Sequence, residues 1–110
     1  MELKQDYLEI SSRSVVQGTV FCKSAAPAIA TDPRQALFIS LTNPSKQSVK
    51  FAIYNDSTGT RVDSGTLSGG NSKSVIIPAQ DVPNIVRIQN QSNCDASGVT
   101  PSFTYAASTQ

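Results

Sequence analysis

The residues of this sequence that could do chemistry are few and widely spaced. The chain has eight acidic side chains and no histidine. Without histidine, the commonest general base and the Ser-His and Cys-His nucleophile pairs are unavailable. Asp56 and Asp63 flank a predicted hairpin and could converge as the carboxylate pair that glycoside hydrolysis needs. The alternative for Asp56 is that it initiates the turn "NDSTG", where its side chain can bond the backbone. We favour the turn and expect that the protein is not an enzyme.

Metal and cofactor sites have equally little support. Asp32, Asp56 or Asp95 could bind calcium in a loop, but their spacing does not resemble that of an EF-hand. The spacing of Cys22 and Cys94 matches no zinc motif, and no glycine-rich phosphate loop is present. We therefore expect no metal site and no cofactor.

The two cysteines leave several alternatives open. Cys22 and Cys94 could be buried free thiols, or they could form a disulfide within one chain or between chains. The sequence does not choose among these states, because a disulfide depends on geometry that the sequence does not show.

Charge and hydropathy exclude further classes of partner. The formal net charge is +1, and the basic residues are scattered, so a nucleic-acid-binding footprint is absent. No apolar run is long enough to span a membrane. The N-terminal "MELKQDYLEISSR" lacks the apolar core of a signal peptide. The sequons at Asn55 and Asn90 are therefore not expected to be glycosylated.

The elements that must position these residues are short strands. Only 38% of the residues are hydrophobic and 15% are charged, and neutral polar residues alternate with β-branched ones, a pattern that suits strands with one solvated face. We predict an all-β fold: an antiparallel β-sandwich or jelly roll of seven to eight short strands. The region from Lys23 to Gln35 contains two prolines and is predicted to be a long loop. The predicted strands are Ser14–Cys22, Ala36–Asn43, Val49–Asn55, Thr60–Leu67, Ser72–Pro78, Asn84–Asn90 and Ser102–Ser108. Alternation in the second of these puts Leu37, Ile39 and Leu41 on one face, and in the third it points Val49, Phe51 and Ile53 inward.

The first twelve residues differ from the rest of the chain, so we divide it into an arm, residues 1–12, and a sandwich domain, residues 13–110. Spaced apolar residues in the arm are candidates for a subunit interface: Leu3, Tyr7, Leu8 and Ile10. The arm could be an edge strand of its own sandwich, or it could add a strand to the exposed edge of a neighbouring copy.

Part of the sequence resembles a known family. The stretch "TLSGGNSKSVIIPAQDVPNIVRIQ" resembles the strand-turn-strand pattern of the endospore-appendage pilins of Bacillus and its relatives, with Gly70 and Ser72 at the turn. The closing "SGVTPSFTYAAS" resembles their final strand. The resemblance implies a jelly-roll subunit that polymerises into fibres on the spore surface without a signal peptide. Those pilins carry cysteines in the N-terminal connector, whereas residues 1–12 contain none.

The expected function is a self-assembling structural subunit of an extracellular or spore-surface fibre, with copies of itself as partners. The first alternative is a virion protein, such as a capsid-decorating or tail-associated jelly roll. The second is a carbohydrate- or ligand-binding module, for which the chain has no tryptophan and only Tyr7, Tyr54 and Tyr105 as candidate contacts.

Overall fold

The structure is a computed structural model that describes residues 7–9, 15–94 and 101–109. The described residues form ten strands and no helix. The strands are β1 (Tyr7–Glu9), β2 (Val15–Phe21), β3 (Ser24–Ala25), β4 (Ala28–Ala30), β5 (Leu37–Thr42), β6 (Val49–Asn55), β7 (Thr60–Leu67), β8 (Ser72–Ile77), β9 (Ile85–Asn90) and β10 (Ser102–Thr109).

Two sheets pack face to face. The first has four strands in the order β2-β10-β5-β8, and all its pairs are antiparallel. The second has five strands in the order β1-β4-β9-β6-β7, and the two-residue β3 also pairs with β9. Its pairs are antiparallel except β1 with β4, which are parallel. We refer to them as the four-stranded sheet and the second sheet.

The order of the strands is that of a jelly roll. Leaving aside β1 and β3, the chain winds through eight strands so that the first of them, β2, pairs with the last, β10, and the second, β4, pairs with the seventh, β9. Successive hairpins folded over each other produce this arrangement, which divides eight strands between two sheets. The predicted all-β sandwich or jelly roll is confirmed.

The segment from Lys23 to Gln35 was predicted wrongly as a loop throughout. It contains β3 and β4, which pair with β9. Its alanines and serine have little intrinsic strand preference, so the pairing depends on the tertiary contact that buries Ile29, whose exposure is 0%. These short strands and β1 explain why ten strands are present rather than seven or eight.

The core lies between the sheets and follows the predicted alternation. Leu37, Ile39 and Leu41 of β5 are buried, and so are Val49, Phe51 and Ile53 of β6. The rest of the cluster consists of Ala26, Ile29 and the matching residues of the other long strands: Val20, Leu67, Val75, Ile77, Val86, Ile88, Phe103, Tyr105 and Ala107. Because the buried side chains alternate along each strand, each sheet keeps an outer face for solvent or a partner.

The glycine pair between β7 and β8 is required for two different reasons. Gly70 has φ +78°, in the left-handed region that favours glycine. At Gly69 a Cβ atom would lie 2.6 Å from the backbone of Lys46, so the close approach of two chain segments demands a residue without a side chain.

Buried asparagines at the ends of strands hold the connections in place. Asn84 is fully buried; its Oδ1 accepts from Asn55 Nδ2 at 3.0 Å, and its Nδ2 donates to the carbonyl oxygens of Gln35 and Pro78. Asn43, also fully buried, donates from Nδ2 to the carbonyl oxygen of Leu67 at 3.0 Å. No described buried side-chain nitrogen or oxygen lacks a hydrogen-bond partner. These amides replace water for backbone groups that the sheets leave unpaired.

Candidate functional site

The two carboxylates considered for catalysis lie on opposite faces of their hairpin. Asp63 pairs with the core residue Ile53, so its side chain projects from the core-facing side of β7. Its carboxylate lies 3.4 Å from Lys73 Nζ. Asp56 follows β6 and accepts a hydrogen bond of 2.7 Å from Arg87 Nε on the outer side of the second sheet. Each acid therefore has its own cation, and the pair does not converge.

The sequence predicted that Asp56 initiates the turn after β6, but in the structure Asn55 makes this turn. Asn55 Oδ1 accepts from the backbone nitrogen of Ser57 at 3.2 Å and from its hydroxyl at 2.8 Å. Asp56 instead uses its carboxylate for Arg87. That hydrogen bond and charge raise the pKa of Arg87 above its usual value.

Both sequon asparagines have their amides inside the protein. Asn55 is 5% exposed and Asn90 is 1% exposed. The Nδ2 atom of Asn90 donates to the carbonyl oxygens of Val20 and Pro101, and that of Asn55 donates to Asn84. The nitrogen that would carry a glycan is therefore occupied in the folded state.

The candidate calcium ligands are not assembled. Asp95 lies outside the described residues. In the part of the chain that the structure describes, no three His, Cys, Asp or Glu side chains are grouped so that they could hold a metal ion. The same residues contain no helix with the length and hydropathy needed to cross a bilayer.

The two cysteines form a disulfide within the chain. Cys22 directly follows β2, Cys94 lies four residues beyond the end of β9, and their Cα atoms are 5.3 Å apart. The bridge therefore ties one end of β2 to the second sheet. It uses both cysteines of the chain, so none remains to link subunits while it is closed.

The arm contributes one strand that can be described. Residues 7–9, which include the candidate interface residues Tyr7 and Leu8, form β1 at the edge of the second sheet. Leu3 and Ile10 lie outside the described residues. The edge-strand alternative is thus what the structure shows for residues 7–9, in a pairing of three residues with β4.

The candidate functional site is the outer edge of β2. This seven-residue strand pairs with β10 through seven consecutive residues and has no other partner strand among the described residues. It contains no charged residue and no proline, and its end residues Val15 and Phe21 are 59% and 53% exposed. An edge of seven residues with no charge, no proline and no register shift is open to pairing with another strand.

The edges at β7 and β8 carry features that discourage pairing. On β8, Lys73 points toward the core side and meets Asp63 of β7 across the open side of the sandwich. The pairing of β7 with β6 shifts register at Ile53 and Tyr54, and β7 also contains Arg61. Inward-pointing charges and bulges are common means of blocking an edge. Sequence reasoning did not find this difference, because it depends on which strands lie at the edges.

The outer face of the four-stranded sheet has an unusual composition. Register places a row across the sheet at one end in which three of four residues are apolar, and we call it the apolar row: Val15, Ser108, Phe38 and Ile76. Two residues along is a row of Gln17, Ala106, Ser40 and Ser74, and beyond it a hydroxyl row of Thr19, Thr104, Thr42 and Ser72. None of these twelve residues is charged.

The outer face of the second sheet is charged and partly aromatic. Lys50, Arg61 and Arg87 project from it, and the guanidinium of Arg87 lies 5.0 Å from the centre of the Tyr54 ring. Tyr54 therefore has a cation over its ring. Tyr105 lies in the core, and burial raises the pKa of its hydroxyl. Neither tyrosine offers the open aromatic platform that the ligand-binding alternative needs.

Comparison with known proteins supports the fold. No protein-family model matches the sequence, and no curated protein matches it. The chain is similar to the pre-peptidase C-terminal domain of a collagenase from Bacillus anthracis, with a TM-score of 0.60 and 12% identity over 100% of both chains. At that identity the likeness shows a shared fold alone.

Two weaker likenesses were found. One is to PliG of Aeromonas hydrophila, a periplasmic inhibitor of g-type lysozyme, with a TM-score of 0.45 and 11% identity over 96% of this chain and 98% of that chain. The other is to a chain of the Bacillus endospore appendages, a family of disulfide-linked pili, with a TM-score of 0.43 and 17% identity over 97% of this chain and 94% of that chain. The family that the sequence resembles is thus a distant structural neighbour, and neither likeness is close enough to bear on function.

Proposed function

We propose that this chain is a self-assembling structural subunit of an extracellular or spore-surface fibre. In this proposal the arm of one copy, residues 1–12, adds a strand to the free edge of β2 in the next copy. Such a contact joins two different surfaces, so it repeats from copy to copy and produces rings or open filaments.

The observation that carries the proposal is the unguarded edge of β2. The edges at β7 and β8 have charges or a register shift, whereas β2 presents seven residues with neither. Natural sheets usually protect an edge of this length. An edge left open in a protein that protects its other long edges favours a role in pairing.

The donor strand is held weakly by its own chain. β1 is joined to β4 by three residue pairs in parallel register. Parallel pairing is somewhat less stable per residue than antiparallel pairing, so releasing β1 costs less than releasing a long strand such as β10. Tyr7 and Leu8, with the predicted anchors Leu3 and Ile10, give the arm apolar side chains to bury on a neighbour.

The disulfide bears on location and on the kind of polymer. Disulfides persist in oxidising surroundings such as the cell exterior, which supports a location outside the cytoplasm. Because both cysteines pair within one chain, the polymer we propose is non-covalent. Its subunits should separate to chains of 11.7 kDa on a denaturing gel without reductant.

Electron microscopy with light scattering tests the proposal directly. The purified protein should form regular fibres or rings. A variant with Gln17→Lys and Thr19→Lys on β2 should form about tenfold less polymer by mass than wild type, because two charges then lie beside the incoming strand. The matched control is Ser74→Lys with Ser72→Lys, at the corresponding rows of β8. A monodisperse wild-type monomer, or equal loss in the control, contradicts strand addition at β2.

Deleting residues 1–12 removes the proposed donor strand and leaves the acceptor edge of β2 in place. The shortened chain should fold, as judged by its far-ultraviolet circular dichroism and thermal transition, and should not polymerise. Failure to fold would make the arm an ordinary strand of its own domain.

A further inference from the structure

We propose a second contact between copies of this chain: the outer face of the four-stranded sheet packs against the same face of another copy, so that fibres associate side by side. The proposal adds a lateral interface and, for its fibre form, rests on the proposed function. The edge of β2 lies at the side of the sheet, whereas this contact uses its flat face.

Charge favours a second copy as the occupant. In a two-fold contact the same patch meets itself, so any charge on it would face a like charge. The three central rows of the four-stranded sheet contain no charged residue. The outer face of the second sheet carries Lys50, Arg61 and Arg87, which would oppose one another in a contact of the same kind.

The two ends of the face differ in composition. At one end the apolar row presents Val15, Phe38 and Ile76, of which Val15 and Ile76 are more than half exposed. Toward the hydroxyl row the side chains are smaller, and a shallow hollow of about 410 Å³ opens beside Thr19, Thr104 and Ala106. A second shallow hollow of about 380 Å³ lies at the apolar row, beside Phe38 and Ile76. A two-fold axis that lies between the two sheets and runs across the strands places the apolar row of one copy over the threonine methyl groups of the other.

Burying the hydroxyl row would leave few polar groups without partners. Thr42 Oγ1 and Ser72 Oγ lie 3.2 Å apart and bond to each other, and Thr104 Oγ1 donates to the carbonyl oxygen of Thr42 at 3.4 Å. Hydroxyls that already bond within the face can be covered at low cost, whereas Gln17, Ser40 and Ser74 of the middle row need hydrogen bonds across the contact.

The size of the face predicts a weak contact that gains strength by repetition. Four strands about 4.8 Å apart and about seven residues long cover roughly 450 Å² in the plane of the sheet. A stable interface usually buries about 800 Å² on each partner. A single pair of copies should therefore associate weakly, whereas two fibres in register repeat the contact at every subunit and hold together.

A single charge on each outer face tests the inference in the full chain. Ser40→Lys lies at the centre of the face on β5 and away from both edges, and Ser64→Lys is the matched control on the outer face of the second sheet; both serines are exposed. Wild-type and Ser64→Lys fibres should be paired in negative stain, and Ser40→Lys should give single fibres with about half the mass per unit length. Paired Ser40→Lys fibres, or separation of both variants, would overturn the inference.

Failure of the proposed function is distinguishable from failure of this contact. If no fibres form in any sample, sedimentation velocity at rising concentration tests the face alone. A weak dimer that Ser40→Lys abolishes and Ser64→Lys preserves supports the contact without fibres. A wild-type monomer at every concentration, with no fibres, overturns it.

Discussion

The two edges of the four-stranded sheet are built differently. At β8 the edge is closed by charge, because Lys73 turns toward the core side and meets Asp63 of the second sheet at 3.4 Å. At β2 the strand carries no charge, and beyond its end the chain is fixed to the second sheet by the disulfide of Cys22 and Cys94. Among the described residues, the edge at β8 carries a charge that discourages pairing, whereas the edge at β2 is anchored and has no second partner strand. In the function that we propose, this difference separates an edge that stays unpaired from one that receives a partner strand.

The largest effect on stability should come from removing the anchor of β2. Replacing both cysteines by serine opens a bridge between residues 72 positions apart, which should lower the free energy of unfolding by about 2–5 kcal/mol. Urea denaturation of the variant and of wild type measures the loss.

The same variant sharpens the comparison of the edges. Amide hydrogen exchange should rise more in β2 than in β8, because only β2 loses its covalent attachment. A stability change below about 1 kcal/mol, against the 2–5 kcal/mol expected for a native disulfide, would show that the disulfide adds little to the non-covalent contacts that hold β2.

A smaller effect is expected from two glycines that precede or lie within the edge strands. Gly69→Ala, before β8, places a Cβ atom 2.6 Å from the backbone of Lys46 and should cost about 1–3 kcal/mol, because the backbone must move. Gly18→Ala, within β2, places its Cβ 3.1 Å from the ring of Tyr105. That side chain can shift, and the gain in strand rigidity of about 0.5–1 kcal/mol offsets the displacement.

Thermal unfolding of the two glycine variants measures this order. We expect the transition of Gly69→Ala to fall clearly below that of Gly18→Ala. The reverse order would mean that the Tyr105 ring cannot move away from a new Cβ atom at residue 18, whereas the backbone of Lys46 can move away from one at residue 69.

The smallest effect on stability should follow from removing the guard of β8. Lys73→Ser with Asp63→Ser breaks a partly exposed ion pair, so the free energy of unfolding should change by about 0–1 kcal/mol. Association should change more, because the edges of β7 and β8 lose charges that discourage pairing.

Light scattering of this double variant reports the new association. Combining it with Gln17→Lys and Thr19→Lys shows whether the new contact uses β8 instead of β2. If the double variant assembles no more than wild type, the ion pair of Lys73 and Asp63 does not discourage pairing at β8, and the proposed difference between the two edges is wrong.

Much of the fold could be predicted from local patterns. The alternation in "VKFAIYN" identified Val49, Phe51 and Ile53 as core residues, and the turn residues between strands marked most of their limits. Two short strands were missed because "SAAPAIA" has no alternation or β-branched run, and only the pairing with β9 makes it extended. The roles of Asn43, Asn84 and Asn90 were missed as well, because polar residues near turns resemble solvent-exposed ones until the chain folds over them.

The sequence by itself determined the fold class. The β-branched alternation and the low share of charged residues led to an all-β domain, since these features depend on composition and on neighbours along the chain; the lack of histidine led to the expectation that the protein is not an enzyme, which stays a prediction. Only the tertiary structure decided which strands lie at the edges, which cysteine pairing forms and which residues share the outer faces. Those properties depend on contacts between residues far apart in the chain. The unguarded β2, the guard at β8 and the uncharged outer face arise from such contacts.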